Sequence, residues 1–338
     1  MIRASLTTLI SKAFRYLVKG LPPQTKDVKI ADHVIGKARP CFFVAEVGIN
    51  HNGSIDIAKK LIDAAAEASA QAVKFQKRTV DVVYSKEELT KPRPVDRAVL
   101  ENAVKRGVLS QESVERLVKS DYKDSTNGDL KFALEFTENE YKEIFKYARE
   151  KGLLCFASPW DTKSVDFLES FNPPAYKIAS ATLTYSDLLD RIKMTGRPVI
   201  LSTGMSTGKE VDLAVKRLSG VPLVLLHTVS TYPAQDEELN LRAIMKLRQA
   251  YPEIPIGYSG HEKGIAPTLA AAAFGAHVIE RHITLDRNMF GTDQSASIEP
   301  HEFGQLIRDV RAIEKAHGDG IKKVLPSEVP ILEKLRKK

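Results

Sequence analysis

The sequence predicts a (β/α)8 TIM barrel with a short β-hairpin ahead of its first strand. Three observations carry that reading. Eight short apolar runs recur along the chain, stretches of helical periodicity separate them, and almost every run ends in a polar or charged residue. With 338 residues, 43% of them hydrophobic and 28% charged, the chain is long enough for one large core.

The elements follow in order. MIRASLTTLISKAFRYLVKG places Leu6, Leu9, Ile10, Ala13, Phe14, Leu17 and Val18 at helical spacing among Arg3, Lys12, Arg15 and Lys19. Residues 1–27 therefore read as a basic amphipathic extension, too short and charged to span a bilayer and without a secretory cleavage site. Docking on the protein or a partner, a weak membrane-surface contact and an organelle-type presequence all suit it. VKIADHVIG (28–36) reads as the hairpin. The eight runs are Cys41–Ala45, Ala72–Phe75, Leu153–Ala157, Ala175–Ile178, Val199–Leu201, Leu223–Leu226, Ile256–Tyr258 and Val278–Ile279. Helical patterns lie at Ile57–Ala68, Glu138–Lys151, Ser164–Ser170, Ser186–Thr195, Gly208–Leu218, Leu241–Tyr251 and Ile265–Phe274. The barrel with its hairpin is taken as 28–325, and 326–338 as a basic tail. Residues 77–137 are too long for a bare loop and are expected to hold the second helix plus an insertion. Within them YKDSTNGD (122–129) reads as a mobile lid or a solvated excursion.

Charge and cysteine usage narrow the class. Of the net charge of +7, residues 1–40 carry +6 and residues 321–338 carry +4, which leaves the middle at −3. No basic stripe with interleaved aromatics accompanies the basic ends, so no nucleic acid is expected. Cys41 and Cys155 sit in apolar runs, which suits buried free thiols and a reducing, cytoplasmic setting.

The strand-end residues run Glu46 and Asn50, Lys74 and Gln76, Ser158, Lys177 and Ser180, Ser202 and Thr203, then His227 with Ser230 and Tyr232, Ser259 and His261, Glu280 and His282. In a barrel these ends converge on the face that carries the active site. Lys74 and Lys177 are costly to bury without an anionic partner, and a phosphate, helped by the hydroxyls of Ser158, Ser180, Ser202 and Ser259, would supply one. An ordinary pair such as Lys74 with Glu46 would do so too. His227, His261 and His282 close consecutive strands, where their imidazoles suit either a divalent transition metal or a hydrogen-bonded polar mouth.

The motifs FFVAEVGINHNGS (42–54), AVKFQK (72–77), AYKIAS (175–180), ILSTGMST (200–207), LLHTVSTYP (225–233), IGYSGHEKGIA (256–266) and IERHITLDRNMFGTDQSAS (279–297) resemble the N-acetylneuraminate (sialic acid) synthases and their legionaminic and pseudaminic acid relatives. The resemblance implies phosphoenolpyruvate, an open-chain N-acetylmannosamine-like aldehyde, a homodimer and a divalent ion, Mn2+ first with Mg2+ or Co2+ as alternatives. His261 and His282 become metal ligands. Lys74, Ser158, Lys177, Ser180, Ser202 and Ser259 surround phosphoenolpyruvate, Glu46 faces the reacting carbons, and Tyr232 and Asp293 hold the sugar. Gln76 and Ser230 join the substrate contacts by their place beside these residues.

Three departures modify the expectation. Ala181-Thr182 follows Ser180 where close relatives carry Gly-Glu or Gly-Asp, removing a carboxylate from the sugar side. The Trp-Gly-x-Thr run common in the lid of relatives is missing. A chain ending at Lys338 lacks the small antifreeze-like domain of many relatives, which predicts an open sugar site and a smaller dimer interface. Two rival readings stand beside the condensation: a Schiff-base aldolase using Lys177 or Lys74, and a non-catalytic barrel that binds a sugar acid or a partner.

Overall fold

The structure is a computed structural model that describes residues 25–337. Residues 1–24, which hold the expected amphipathic helix, lie outside the described residues, as does Lys338.

The hairpin forms as expected, with β1 (Val28–Ile30) antiparallel to β2 (His33–Ile35). Eight parallel strands follow: β3 (Phe42–Gly48), β4 (Ala72–Lys77), β5 (Leu154–Pro159), β6 (Tyr176–Ile178), β7 (Val199–Ser202), β8 (Leu223–Thr228), β9 (Ile256–Gly260) and β10 (Val278–His282). They are hydrogen-bonded in the order β5-β4-β3-β10-β9-β8-β7-β6. The two end strands pack on each other and bring the sheet to a nearly closed barrel.

Side chains alternate across a strand, so each run feeds two cores. Phe43, Ala45, Val73, Tyr176, Leu201, Leu225 and Ile279 join the larger core between sheet and helices. Phe42, Val44, Ala72, Phe156, Ile200, Val224, Leu226 and Val278 fill the barrel, closed below by Val28, Ile30 and Ile35 of the hairpin. The hairpin is thus the plug of the barrel's N-terminal end. Gly257 takes an inward position where a Cβ would come within 2.6 Å of Leu226 and 2.8 Å of Val278. Continuing the same alternation by two residues brings Glu46, Lys74, Ser158, Lys177, Ser202, Ser259 and Glu280 to the upper interior.

The helices pack outside. Glu138–Glu150 shows the logic: Tyr141, Ile144, Phe145 and Ala148 make one buried stripe, and Thr137 caps the N-terminus from its side chain. An eighth helix, Pro300–Ala316, follows β10 and buries Phe303, Leu306, Ile307 and Val310. The segment 77–137 does not hold the second barrel helix, which is Glu138–Glu150. It holds only the insertion, as short helices at Val80–Val83, Lys86–Thr90, Arg97–Arg106, Gln111–Lys119 and Asn127–Leu134 around a small core of Val99, Ala103, Leu130, Ala133 and Leu134. Residues 122–129 are no free lid either. Ser125 is buried and donates to the Arg93 carbonyl at 2.7 Å, and Thr126 caps Asn127–Leu134 while Asp129 holds Arg116 at 2.9 Å.

Cys41 and Cys155 are free and buried, and burial pushes both thiols up. No helix among the described residues is long and apolar enough to cross a membrane. Past the barrel, the helix Val329–Leu335 buries no residue.

Candidate active site

The strand ends converge as the alternation requires. Twelve of the thirteen residues expected at the site line one cavity of about 160 Å3, and the thirteenth, Asp293, stands behind His282. A larger cavity of about 1030 Å3 opens beside the hairpin at the other end of the barrel and contains none of them. Size alone does not place the site.

One half of the cavity is a charge cluster. Lys74 Nζ lies 3.1 Å from Glu46 Oε2 and 3.2 Å from Glu280 Oε1, and donates to Ser158 Oγ at 3.2 Å. Lys177 Nζ lies 3.4 Å from Glu280 Oε1 and donates to Ser202 Oγ at 2.7 Å. Ser259 Oγ donates to Glu280 Oε1 at 3.2 Å. The partners of the two lysines here are therefore carboxylates, and Glu280, seen in the sequence only as one strand-end residue among many, is the hub. Its Oε2 and that of Glu46 have no hydrogen-bond partner. The Lys74–Glu46 contact is close enough for an ion pair but poorly directed as a hydrogen bond.

Burial and neighbours split these groups. Burial pushes Glu46 up to about 7, with Lys74 opposing and the Glu280 charge adding. Burial also disfavours the Glu280 charge, but Lys177 and Lys74 outweigh it and hold that carboxyl down at about 2. Lys177 is lowered by burial to about 8, partly offset by Glu280. Lys74 suffers the same burial, yet Glu280 and Glu46 together hold it above the ordinary range. With Glu46 protonated, two ammoniums face one carboxylate, and the net positive charge suits an anion. Gln76 donates to Glu46 Oε1 at 2.9 Å and fixes that carboxyl.

The second half is aromatic. His261 and His282 have ring centroids 5.3 Å apart, and Tyr232 stacks on His261 at 4.0 Å. The Val229 carbonyl can only accept, so His261 Nδ1 carries the proton and Nε2 accepts from the Tyr232 hydroxyl at 2.9 Å. His282 Nδ1 is buried without a hydrogen-bond partner, 3.7 Å from Asp293 Oδ2. Burial pushes both imidazoles down to about 3, so each presents a neutral ring at physiological pH. Among the described residues no group of three or more His, Cys, Asp or Glu is arranged for a metal. The bare His282 Nδ1, with the neutral His261 ring neighbouring its own, nevertheless fits a divalent ion that draws its remaining ligands from water and substrate.

His227 does not join them. Leu226 points into the barrel, so His227 faces outward, bonded through Nε2 to the Leu239 carbonyl at 2.8 Å and packed near Tyr258. Ser180 Oγ accepts from Gly204 N at 3.0 Å, and a Cβ on Gly204 would strike Ser230 Oγ and Ser180 Oγ. Thr182, at the position where close relatives carry the carboxylate, spends its hydroxyl on the Ala179 carbonyl, and Ala181 lines the cavity. Trp160, without a role in the sequence reading, completes the wall.

Comparison with known proteins bears on this geometry. The sequence model of the NeuB family matches residues 103–322. The N-acetylneuraminate-9-phosphate synthase of Mus musculus is 40% identical over 90% of this chain and 78% of its own length. The N,N'-diacetyllegionaminic acid synthase of Campylobacter jejuni is 35% identical over 87% of this chain and 82% of its own. The crystal structure of the N-acetylneuraminic acid synthetase of Leptospira borgpetersenii in complex with citrate superposes with a TM-score of 0.72 at 32% identity, over 93% of this chain and 99% of that one.

Proposed function

The chain belongs to the NeuB family, and from that premise we propose that it condenses phosphoenolpyruvate with an open-chain N-acetylmannosamine-like aldose to give a nonulosonic acid and phosphate. One observation carries the reading: a two-lysine, four-hydroxyl anion cradle and a pair of neutral imidazoles face each other across a single barrel-mouth cavity.

Lys74, Lys177, Ser158, Ser180, Ser202 and Ser259 hold the phosphate and carboxylate of phosphoenolpyruvate, the ammoniums turning from Glu280 toward the incoming anion. The enol carbon attacks the aldehyde carbon, water adds to the cationic carbon left behind, and the C–O bond breaks to release phosphate. Glu46 exchanges a proton near pH 7 and stands beside Lys74, so it moves the proton of the attacking water. Tyr232 and Asp293 hold the sugar beside the imidazoles. His261 and His282 would hold Mn2+, which when bound supplies Lewis-acid polarisation of the aldehyde oxygen. Dimerisation through the helical face, where Met194, Leu213 and Met245 stand exposed, and a cytoplasmic setting belong to the same proposal. A monomer in sedimentation would remove the dimer from it.

The test is phosphate release from phosphoenolpyruvate with Mn2+ and a panel of N-acetylhexosamines. Sugar-dependent release is expected, together with loss of Mn2+ binding in His282→Ala. Silence across the panel would set the condensation aside. The depressed Lys177 amine favours a second reading, a Schiff base with a carbonyl substrate. Borohydride trapping of pyruvate on a lysine would select it.

A further inference from the structure

The loop that follows β8 closes around His261. The ring donates from Nδ1 to the Val229 carbonyl at 2.5 Å, and the Ala234 N–H donates to the His261 carbonyl at 3.0 Å. Between these two anchors Tyr232 lays its ring on the imidazole and donates its hydroxyl to Nε2 at 2.9 Å. Both anchors use main-chain atoms of the loop. The Tyr232 side chain is 43% exposed, so rotation about its own bonds can carry the hydroxyl away while the anchors hold.

With the proton on Nδ1, the His261 ring has a single lone pair to offer, on Nε2, and the Tyr232 hydroxyl is using it. A divalent ion held through His261 needs that same lone pair. Ion and hydroxyl therefore exclude each other at one atom. His282 carries no such cap, since its Nδ1 is buried without a hydrogen-bond partner among the described residues. The two rings, with centroids 5.3 Å apart, are thus unequal, one open and the other occupied.

We propose that Tyr232 is a gate that couples sugar binding to metal binding: its hydroxyl caps His261 Nε2 until the sugar draws it away, and the freed lone pair then takes the ion. The inference rests on the condensation reading above, in which Tyr232 holds the sugar and the two imidazoles hold Mn2+. Whichever ligand arrives first breaks the Tyr232–His261 bond, and the second binds without that cost. The coupling is reciprocal, so the sugar tightens the ion by the same factor by which the ion tightens the sugar. One hydrogen bond of this kind sets that factor at about three- to ten-fold. The ion is then held most tightly when the aldehyde it would polarise is in place.

The test reads Mn2+ binding without turnover. Protein stripped with a chelator is titrated with Mn2+, the free ion is counted by electron paramagnetic resonance, and phosphoenolpyruvate is present throughout. Each titration is run with and without saturating N-acetylmannosaminitol, which lacks the aldehyde and cannot condense. In the unaltered protein the alditol tightens Mn2+ by about three-fold or more. Tyr232→Phe keeps the ring and loses the hydroxyl; without alditol it binds Mn2+ about three-fold or more tightly than the unaltered protein, and most of the alditol's effect is gone. A merely structural contact gives the opposite sign, because losing it loosens the site. Mn2+ affinity that falls or stays level in Tyr232→Phe, an alditol effect that is missing in the unaltered protein or undiminished in the variant, or the absence of any Mn2+ binding overturns the gate. The condensation reading fails on a different result, the absence of any sugar-dependent phosphate release.

Discussion

Lys74 and Lys177 share one carboxylate and titrate in opposite directions. Lys74 has Glu46 as well as Glu280 within ion-pair distance, whereas Lys177 has Glu280 alone, so burial wins only at the second lysine. The sign of the pH dependence follows. Below about 8 Lys177 is an ammonium that holds phosphoenolpyruvate, and above it the free enzyme loses that charge. The kcat/KM for phosphoenolpyruvate is therefore expected to fall as pH rises through about 8, while the limb in kcat moves higher because the bound anion favours the ammonium. Lys177→Met should lower phosphoenolpyruvate affinity at neutral pH by roughly ten-fold or more, the loss of one charge-assisted contact, and should abolish the limb. A pH profile of both proteins checks this. At this scale the sequence was partly legible. A lysine inside AVKFQ or AYKIAS advertises itself because charge is rare in a buried strand. Glu280 and His227 also stood out as strand-end residues, but their roles did not, because VIERH and LVLLHT are buried on both faces and hydropathy cannot say which residues point inward. Parity, counted from Val278 and Leu226, assigns Glu280 to the cavity and His227 to the outside.

β10 shows how one element serves two purposes. Its inward residues are Val278, Glu280 and His282, while outward Arg281 is fully buried and pairs with Glu262 at 3.0 Å. Arg281 also donates to Thr268 Oγ1 at 2.8 Å and to the Gly264 carbonyl at 2.8 Å, and Tyr258 donates to Glu262 at 2.9 Å. This network fixes the turn after β9, next to His261. Breaking a buried pair by removing one partner strands the other charge, so Glu262→Ala should destabilise the fold by about 3–5 kcal/mol. In a denaturant double-mutant cycle, Arg281→Met added to it should cost far less than the sum of the two single changes. Additive losses would show that the pair does not hold the turn. The pair was invisible in the sequence because nothing in SGHEKG or IERH says which charges meet. The insertion was hidden for a different reason: its helices are short and polar, and its small core adds up from five separated residues. The barrel helices were legible because each carries one long apolar stripe.

On the scale of the whole molecule, eight short runs located eight strands to within a few residues, since a parallel barrel strand is a brief apolar segment bounded by polar ends. Closure was not in the periodicity; it rests on how the end strands β5 and β6 meet. The body of the chain is slightly acidic, yet its barrel mouth brings Lys74 and Lys177 together. A local concentration of cations of this kind suits the small anionic substrate proposed above. The central claim, carbon–carbon bond formation with C–O cleavage, is tested most directly with phosphoenolpyruvate labelled with oxygen-18 at the bridging position. The protein is incubated with Mn2+ and N-acetylmannosamine or its 6-phosphate, and both products are weighed by mass spectrometry. The account expects one labelled inorganic phosphate for each nine-carbon acid formed. Label retained in the organic product, or phosphate released at the same rate without the sugar, would contradict it.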